Sequence, residues 1–180
     1  MAETPSGLFF TEKRVAVTGR LQIIFMRGDR PTIVGSELLI DPSKTSVVQI
    51  FDDKNLVVDS GRLVLNQTMA GEIPADPITF FCTGTGGYIN GDDCHNPPND
   101  PLGTDLDLRT PLFQKAITSL DHPNSLATTF IVTVSETESN GNLTEFGLKT
   151  ASGKLFARRT TRPMFKDENV FFVCRWTIQF

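Results

Sequence analysis

The residues best equipped for chemistry gather in one stretch. Cys82, Cys94, His95 and the adjacent acids Asp92 and Asp93 offer thiolate, imidazole and carboxylate donors, the types that bind zinc. A cysteine-based zinc site joins two short-spaced pairs, and here Cys82 and Cys94 lie far apart with no second pair. Three free thiols fit better, with Cys174 in the core. Asp92, Asp93, Asp100, Asp105 and Asp107 could gather a calcium ion, but their spacing departs from the alternating acidic loop that wraps one. A solvated acidic loop is expected instead. Thr83-Gly84-Thr85-Gly86-Gly87 follows an apolar run and resembles a phosphate cradle. Such a cradle needs a helix N-terminus directly after it, and Tyr88-Ile89-Asn90-Gly91 supplies no helical pattern. The two histidines, His95 and His122, have no nucleophile-bearing turn to serve. No enzyme activity, cofactor or metal is expected.

Around these residues the composition is that of a folded chain. With 180 residues, 39% hydrophobic and 21% charged, it can build a core without disulfides or metal. Net charge is −4 and the basic residues are dispersed, which argues against a nucleic-acid surface. Arg158, Arg159 and Arg162 form the densest basic cluster, read as dressing a strand and turn. No run approaches the roughly 18 apolar residues of a membrane span. The start, Met1-Ala2-Glu3-Thr4-Pro5, lacks the pattern of a signal peptide, so folding in a cytoplasm is expected. Phe is abundant, at 14 against one Tyr and one Trp, and must find a core.

The elements that would position those residues are strands. From Val170 to Phe180 every even position is apolar, the period of a strand with one buried face, ending on a core-facing Phe180. Further strands are predicted over Leu21–Met26, Thr32–Ile40, Ser46–Phe51, Ile78–Cys82, Lys115–Leu120, Leu126–Val134, Leu143–Leu148 and Lys154–Thr160. Asp52-Asp53-Lys54 reads as a break, and Asn140-Gly141 and Ser152-Gly153 as hairpin turns. One helix is expected from an Asp59-Ser60 cap to a Gly71 stop. Between Cys82 and Pro111, Gly, Pro, Asp and Asn make up 17 of 30 residues and periodicity vanishes. The expected fold class is mainly β: an antiparallel β-sandwich or jelly roll over residues 1–180, with one short helix. Residues 1–11 form a possible arm, and residues 83–111 a long polar loop of the kind that contacts partners.

Several phrases in order carry a likeness. Asn55-Leu56-Val57-Val58-Asp59-Ser60-Gly61-Arg62 leads into the helix, and Pro77-Ile78-Thr79-Phe80-Phe81-Cys82-Thr83-Gly84-Thr85-Gly86 precedes the loop. Asn142-Leu143-Thr144-Glu145-Phe146-Gly147-Leu148 and Gly153-Lys154-Leu155-Phe156-Ala157-Arg158 follow. Over about residues 50 to 180 this order resembles tailed-bacteriophage virion structural proteins. The resemblance implies paired strands at 145–148 and 155–158 above a Trp176 core. It also implies a particle component assembled in the host cytoplasm, a capsid decoration or cement protein first. A neck, collar or tail adapter for fibres is the alternative, and a β-sandwich carbohydrate-binding module the alternative of another class. The expected partners are other virion proteins (major capsid, portal, neck or tail) and further copies of the chain, with no nucleic acid and no membrane. Candidate contact residues are Leu8, Phe9 and Phe10 in the arm, and Tyr88, Asp92, Asp93, His95, Asn99 and Asp100 in the loop.

Overall fold

A computed structural model describes residues 17–87 and 99–180. Among them the chain forms β1 (Thr18–Gly28), β2 (Thr32–Val34), β3 (Glu37–Leu39), β4 (Thr45–Val57) and helix α1 (Asp59–Met69). It continues with β5 (Ile78–Gly84), β6 (Pro111–Ala116), β7 (Ser119–Asn124), β8 (Ala127–Val134), β9 (Gly141–Thr150), β10 (Leu155–Lys166) and β11 (Phe171–Gln179). Nine strands build one antiparallel sheet in the order β6-β5-β9-β10-β4-β1-β11-β8-β7, and β2 pairs only with β3. The architecture is the expected mainly-β one, with a single short helix.

The sheet is sandwich-like because it curls on itself. β6 and β7, its two edges, are consecutive in the chain with only Ile117 and Thr118 between them. Ile117 N–H donates to Thr79 O of β5, and Thr118 N–H to Ile131 O of β8, so these two residues stitch the halves together. Opposite this corner, β4 runs along β1 and then lends Leu56 and Val57 to β10. Inside lie Leu21, Ile23 and Phe25 of β1, Phe81 of β5, Phe146 and Leu148 of β9, and Phe172, Cys174, Trp176 and Ile178 of β11. Phe81 meets Phe172 and Trp176 edge to face, at 6.1 and 6.4 Å between ring centres, joining one half to the other. Such pairs add about 0.5–1.5 kcal/mol each beyond their buried area. The abundant Phe thus fills the space between the halves.

A second apolar cluster sits on the outside. Ile24 and Met26 of β1, Ile131 of β8, and Phe171 and Val173 of β11 point away from the main core. The β2–β3 hairpin covers them with Ile33 and Leu38, joined by Ile40. Thr32–Ile40, expected as one strand, is therefore a hairpin, turned at Gly35 with φ +59°.

Other expectations are corrected by pairing. Asp52-Asp53-Lys54 does not break β4, because each acid meets a cation from a neighbouring strand. Asp52 accepts from Arg20 and Gln22, and Asp53 from Arg159. Lys115–Leu120 divides between β6 and β7, since the corner falls inside it. His122, Pro123 and Asn124 end β7. Asn140-Gly141 joins β8 to β9, which lie in opposite halves and do not pair, whereas Ser152-Gly153 does turn the β9–β10 hairpin. Phe180 is 45% exposed, one step past the last core position, Ile178. The expected pairing of 145–148 with 155–158 is present, and Trp176 is fully buried.

Helix α1 docks against β10 through its smallest residue. Val58, not Asp59 or Ser60, occupies the N-cap and makes no side-chain cap bond. Ser60 Oγ instead donates to Leu155 O of β10. The stop at Gly71 holds, with φ +72°. At Gly61 a Cβ would stand 2.4 Å from Phe156 O. Alanine is worth about 1 kcal/mol more than glycine in an exposed helix. Here the backbone contact reverses the sign. Gly61→Ala is expected to lower the urea midpoint, with a loss of about 1–3 kcal/mol typical of overpacking. An unchanged or raised midpoint would show that the helix does not sit this close.

Candidate functional site

The outer face of β9 and β10 carries the molecule's most concentrated buried charge. Along β9, Phe146 and Leu148 enter the core, so Glu145, Gly147 and Lys149 face outward. That face is covered too: every β9 residue from Leu143 to Thr150 is buried. The cover is the segment that runs from Asn99 to Thr110. Leu108, 5% exposed, lies over Gly147, where a Cβ would meet its Cδ2 at 3.1 Å.

Glu145 is fully buried and holds this cover down. Its Oε1 accepts from the N–H groups of Gly86 (3.1 Å) and Thr110 (2.7 Å). Its Oε2 accepts from the N–H of Arg109 (2.9 Å) and from Arg158 Nη2. Arg158, 2% exposed, turns its other terminal nitrogen to Asp105. Asp105 also accepts from the N–H of Leu102 and lies 3.5 Å from Arg109. A buried carboxylate needs this kind of compensation, because its desolvation costs several kcal/mol.

The glycine-rich run acquires a role here. Thr83-Gly84-Thr85-Gly86-Gly87 looked like a loop whose backbone N–H groups could hold an anion. Gly86 does hold one, the protein's own Glu145 carboxylate. A Cβ at Gly86 would stand 2.8 Å from Glu145 Oε1 and 2.6 Å from Thr110 Oγ1, so only glycine admits the approach. Thr144 Oγ1 donates to Gly86 O from the neighbouring position and fixes the same turn.

The described acids of the polar segment do not converge. Asp105 is taken by Arg158, Asp107 lies 2.6 Å from Lys149, and Asp100 is 3.8 Å from Arg159. Among the described residues no group of His, Cys, Asp and Glu is placed to hold a metal ion. Cys82 is buried, and burial pushes its thiol from an ordinary 9.0 up to about 12. Burial raises the thiol of Cys174 in the core as well.

Of the expected contact residues, Asn99 and Asp100 fall at the root of the polar loop. Asn99 donates its N–H (2.9 Å) and Nδ2 (3.3 Å) to Gly87 O, so residues 87 and 99 are held together. Thr160 Oγ1 of β10 donates to Asn99 O. A cavity of about 260 Å³ opens there, lined by Gly87, Asn99, Asp100, Leu102, Asp105, Arg109 and Arg158. Leu8, Phe9, Phe10, Tyr88, Asp92, Asp93 and His95 lie outside the described residues, as does Cys94. The residues that sequence reasoning passed over are Glu145 and Arg158. Arg158 does not dress the surface: it is buried, while Arg162 is exposed. One signal was available, a Glu inside the apolar run Leu143–Leu148.

Removing Arg158 leaves two acids without their cation. Arg158→Met is expected to cost about 3–5 kcal/mol in chemical denaturation. Asp100→Ala, at an exposed end of the same segment, should leave the midpoint in place. Equal effects would show that the buried network is not what anchors the cover. The Cys82 thiol has a folded pKa above its unfolded one. Its contribution is fully present below pH 9.0 and is lost as pH rises through about 12. Cys82→Ser should therefore flatten the alkaline fall in stability across that window. An unchanged slope would remove Cys82 as its source.

Comparison with protein-family models, with curated proteins and with solved structures finds no match for this chain.

Proposed function

We propose that this protein is a structural component of a tailed-phage virion, a capsid decoration or cement protein that binds neighbouring virion subunits. The ordered likeness over about residues 50 to 180 motivates the reading. The observation that supports it best is the anchored cover on β9 and β10. Leu102 and Leu106 are 55% and 78% exposed, although their segment is tied down by Asp105 and Glu145. Apolar side chains on a pre-ordered segment lose little entropy when a partner covers them. A particle component, which binds once and stays, uses such a surface well. A neck, collar or tail adapter would use it in the same way. For the carbohydrate-binding alternative, sugar platforms need aromatic faces. The exposed large aromatic side chains among the described residues are Phe165 and Phe180.

Co-sedimentation tests the reading. The protein is expected to pellet with particles of the phage whose genome encodes it. Leu106→Lys should abolish pelleting while leaving the thermal midpoint unchanged. A protein that stays in the supernatant with every assembly intermediate would overturn the virion role. Pelleting that Leu106→Lys leaves intact would move the contact surface elsewhere.

A further inference from the structure

Strand β4 has two edges, and they are treated differently. One pairs with β1 from Thr45 to Asn55. The other meets β10 only at Leu56 and Val57. Among the described residues, no strand pairs with that second edge from Thr45 to Asn55, and β10 reaches it only with the Arg159 side chain at Asp53. Ser46 to Ile50 are all exposed, so this half of the strand stands clear of the core. Val47, Val48 and Ile50 are 44%, 51% and 60% exposed. Proteins guard free edges with prolines, lysines or short strands. β10 carries Arg162 and Pro163 in its diverging part, but β4 has no proline, and its first lysine is Lys54.

The geometry points to β4 of a second copy as the occupant, paired antiparallel across a two-fold axis between Val48 and Gln49. The inference rests on β4 alone and holds whatever particle the protein serves. In this register Val47 lies opposite Ile50 of the second copy, and Lys44 opposite its Asp53. Val47 is the ladder partner of Met26, and Ile50 of Ile24. Met26 and Ile24 both belong to the outer apolar cluster, so Val47 and Ile50 share the outer face. The pairing sets them side by side in both halves of the interface and carries that cluster across the junction. The bulge agrees. The register shift opposite Phe25 and Met26 leaves Val48 as the extra residue. At the two-fold it puts the in-and-out alternation in phase on either side, whereas a shift by one residue opposes inner to outer side chains. Charge agrees as well. The Lys44 side chain is 62% exposed beside its own Asp41, and Asp53 is 45% exposed beside its own Arg159, so each has room for a second partner and two such cross-strand pairs form per dimer. An isologous contact of this kind closes on itself and leaves no further copy of the edge free.

Sedimentation velocity and light scattering on the full chain decide it. The wild type is expected at twice the chain mass. Ile50→Lys, an exposed position, should give a monomer with an unchanged circular dichroism melt. Lys44→Glu and Asp53→Lys should each weaken the dimer by up to about thirtyfold, the upper end for the two cross-strand ion pairs lost together. The double variant Lys44→Glu/Asp53→Lys should restore it, which no purely structural role of either residue would do. A wild type that stays monomeric at the highest attainable concentration overturns the proposal. So does a dimer that Ile50→Lys leaves intact, or a double variant no tighter than the single ones.

Discussion

The cover over β9 and β10 depends on one buried carboxylate. Glu145 is fully buried, so its oxygens need donors within the protein, and they find them in Gly86, Arg109, Thr110 and Arg158. Those four belong to the end of β5, the approach to β6 and the middle of β10. A single side chain on β9 therefore ties together three parts of the chain. Satisfying it requires a glycine at position 86, a buried guanidinium at 158 and a second acid at 105 to balance that guanidinium. The requirement spreads from one residue to a whole surface.

The two halves of the curled sheet solve one problem by opposite means. Each half has an inner face on the core and an outer face that must be covered or made polar. On the β1-β11-β8 side the cover is the β2–β3 hairpin, and the contact is apolar. On the β9-β10 side the cover is residues 99–110, and the contact is largely ionic. The apolar cover is non-directional and tolerates small shifts. The ionic one fixes position, because hydrogen bonds to a buried carboxylate fail quickly with distance and angle. The segment presenting Leu102 and Leu106 is thus the more sharply positioned of the two.

The free stretch of β4 follows from how the sheet closes. β4 belongs to both halves, but only its last residues reach β10, because the halves diverge from that point. Its first part keeps one ladder and loses the other. Besides the outer edges of β6 and β7, the curled sheet leaves this stretch of β4 without a second ladder among the described residues. The proposed second copy would supply the ladder that this stretch of β4 lacks among the described residues.

Alternation alone made much of the fold legible. The buried even positions of β11, the Ser152-Gly153 hairpin, the Gly71 stop and the Phe-filled core all follow from local pattern, since side-chain direction and turn chemistry are short-range properties. The break expected at Asp52-Asp53-Lys54 failed because Arg20 and Arg159, distant in sequence, neutralise those acids. The single strand expected at Lys115–Leu120 failed because the corner between sheet halves has no local signature. Most of all, the sequence by itself could mark Glu145 only as a charge inside an apolar strand, and Gly86 only as part of a glycine-rich loop. Only the tertiary structure decided that one is the anion the other cradles, with Arg158 buried between them. Partners of a buried charge are set by which strands become neighbours, and that is decided by closing the sheet, not by any stretch of the chain alone.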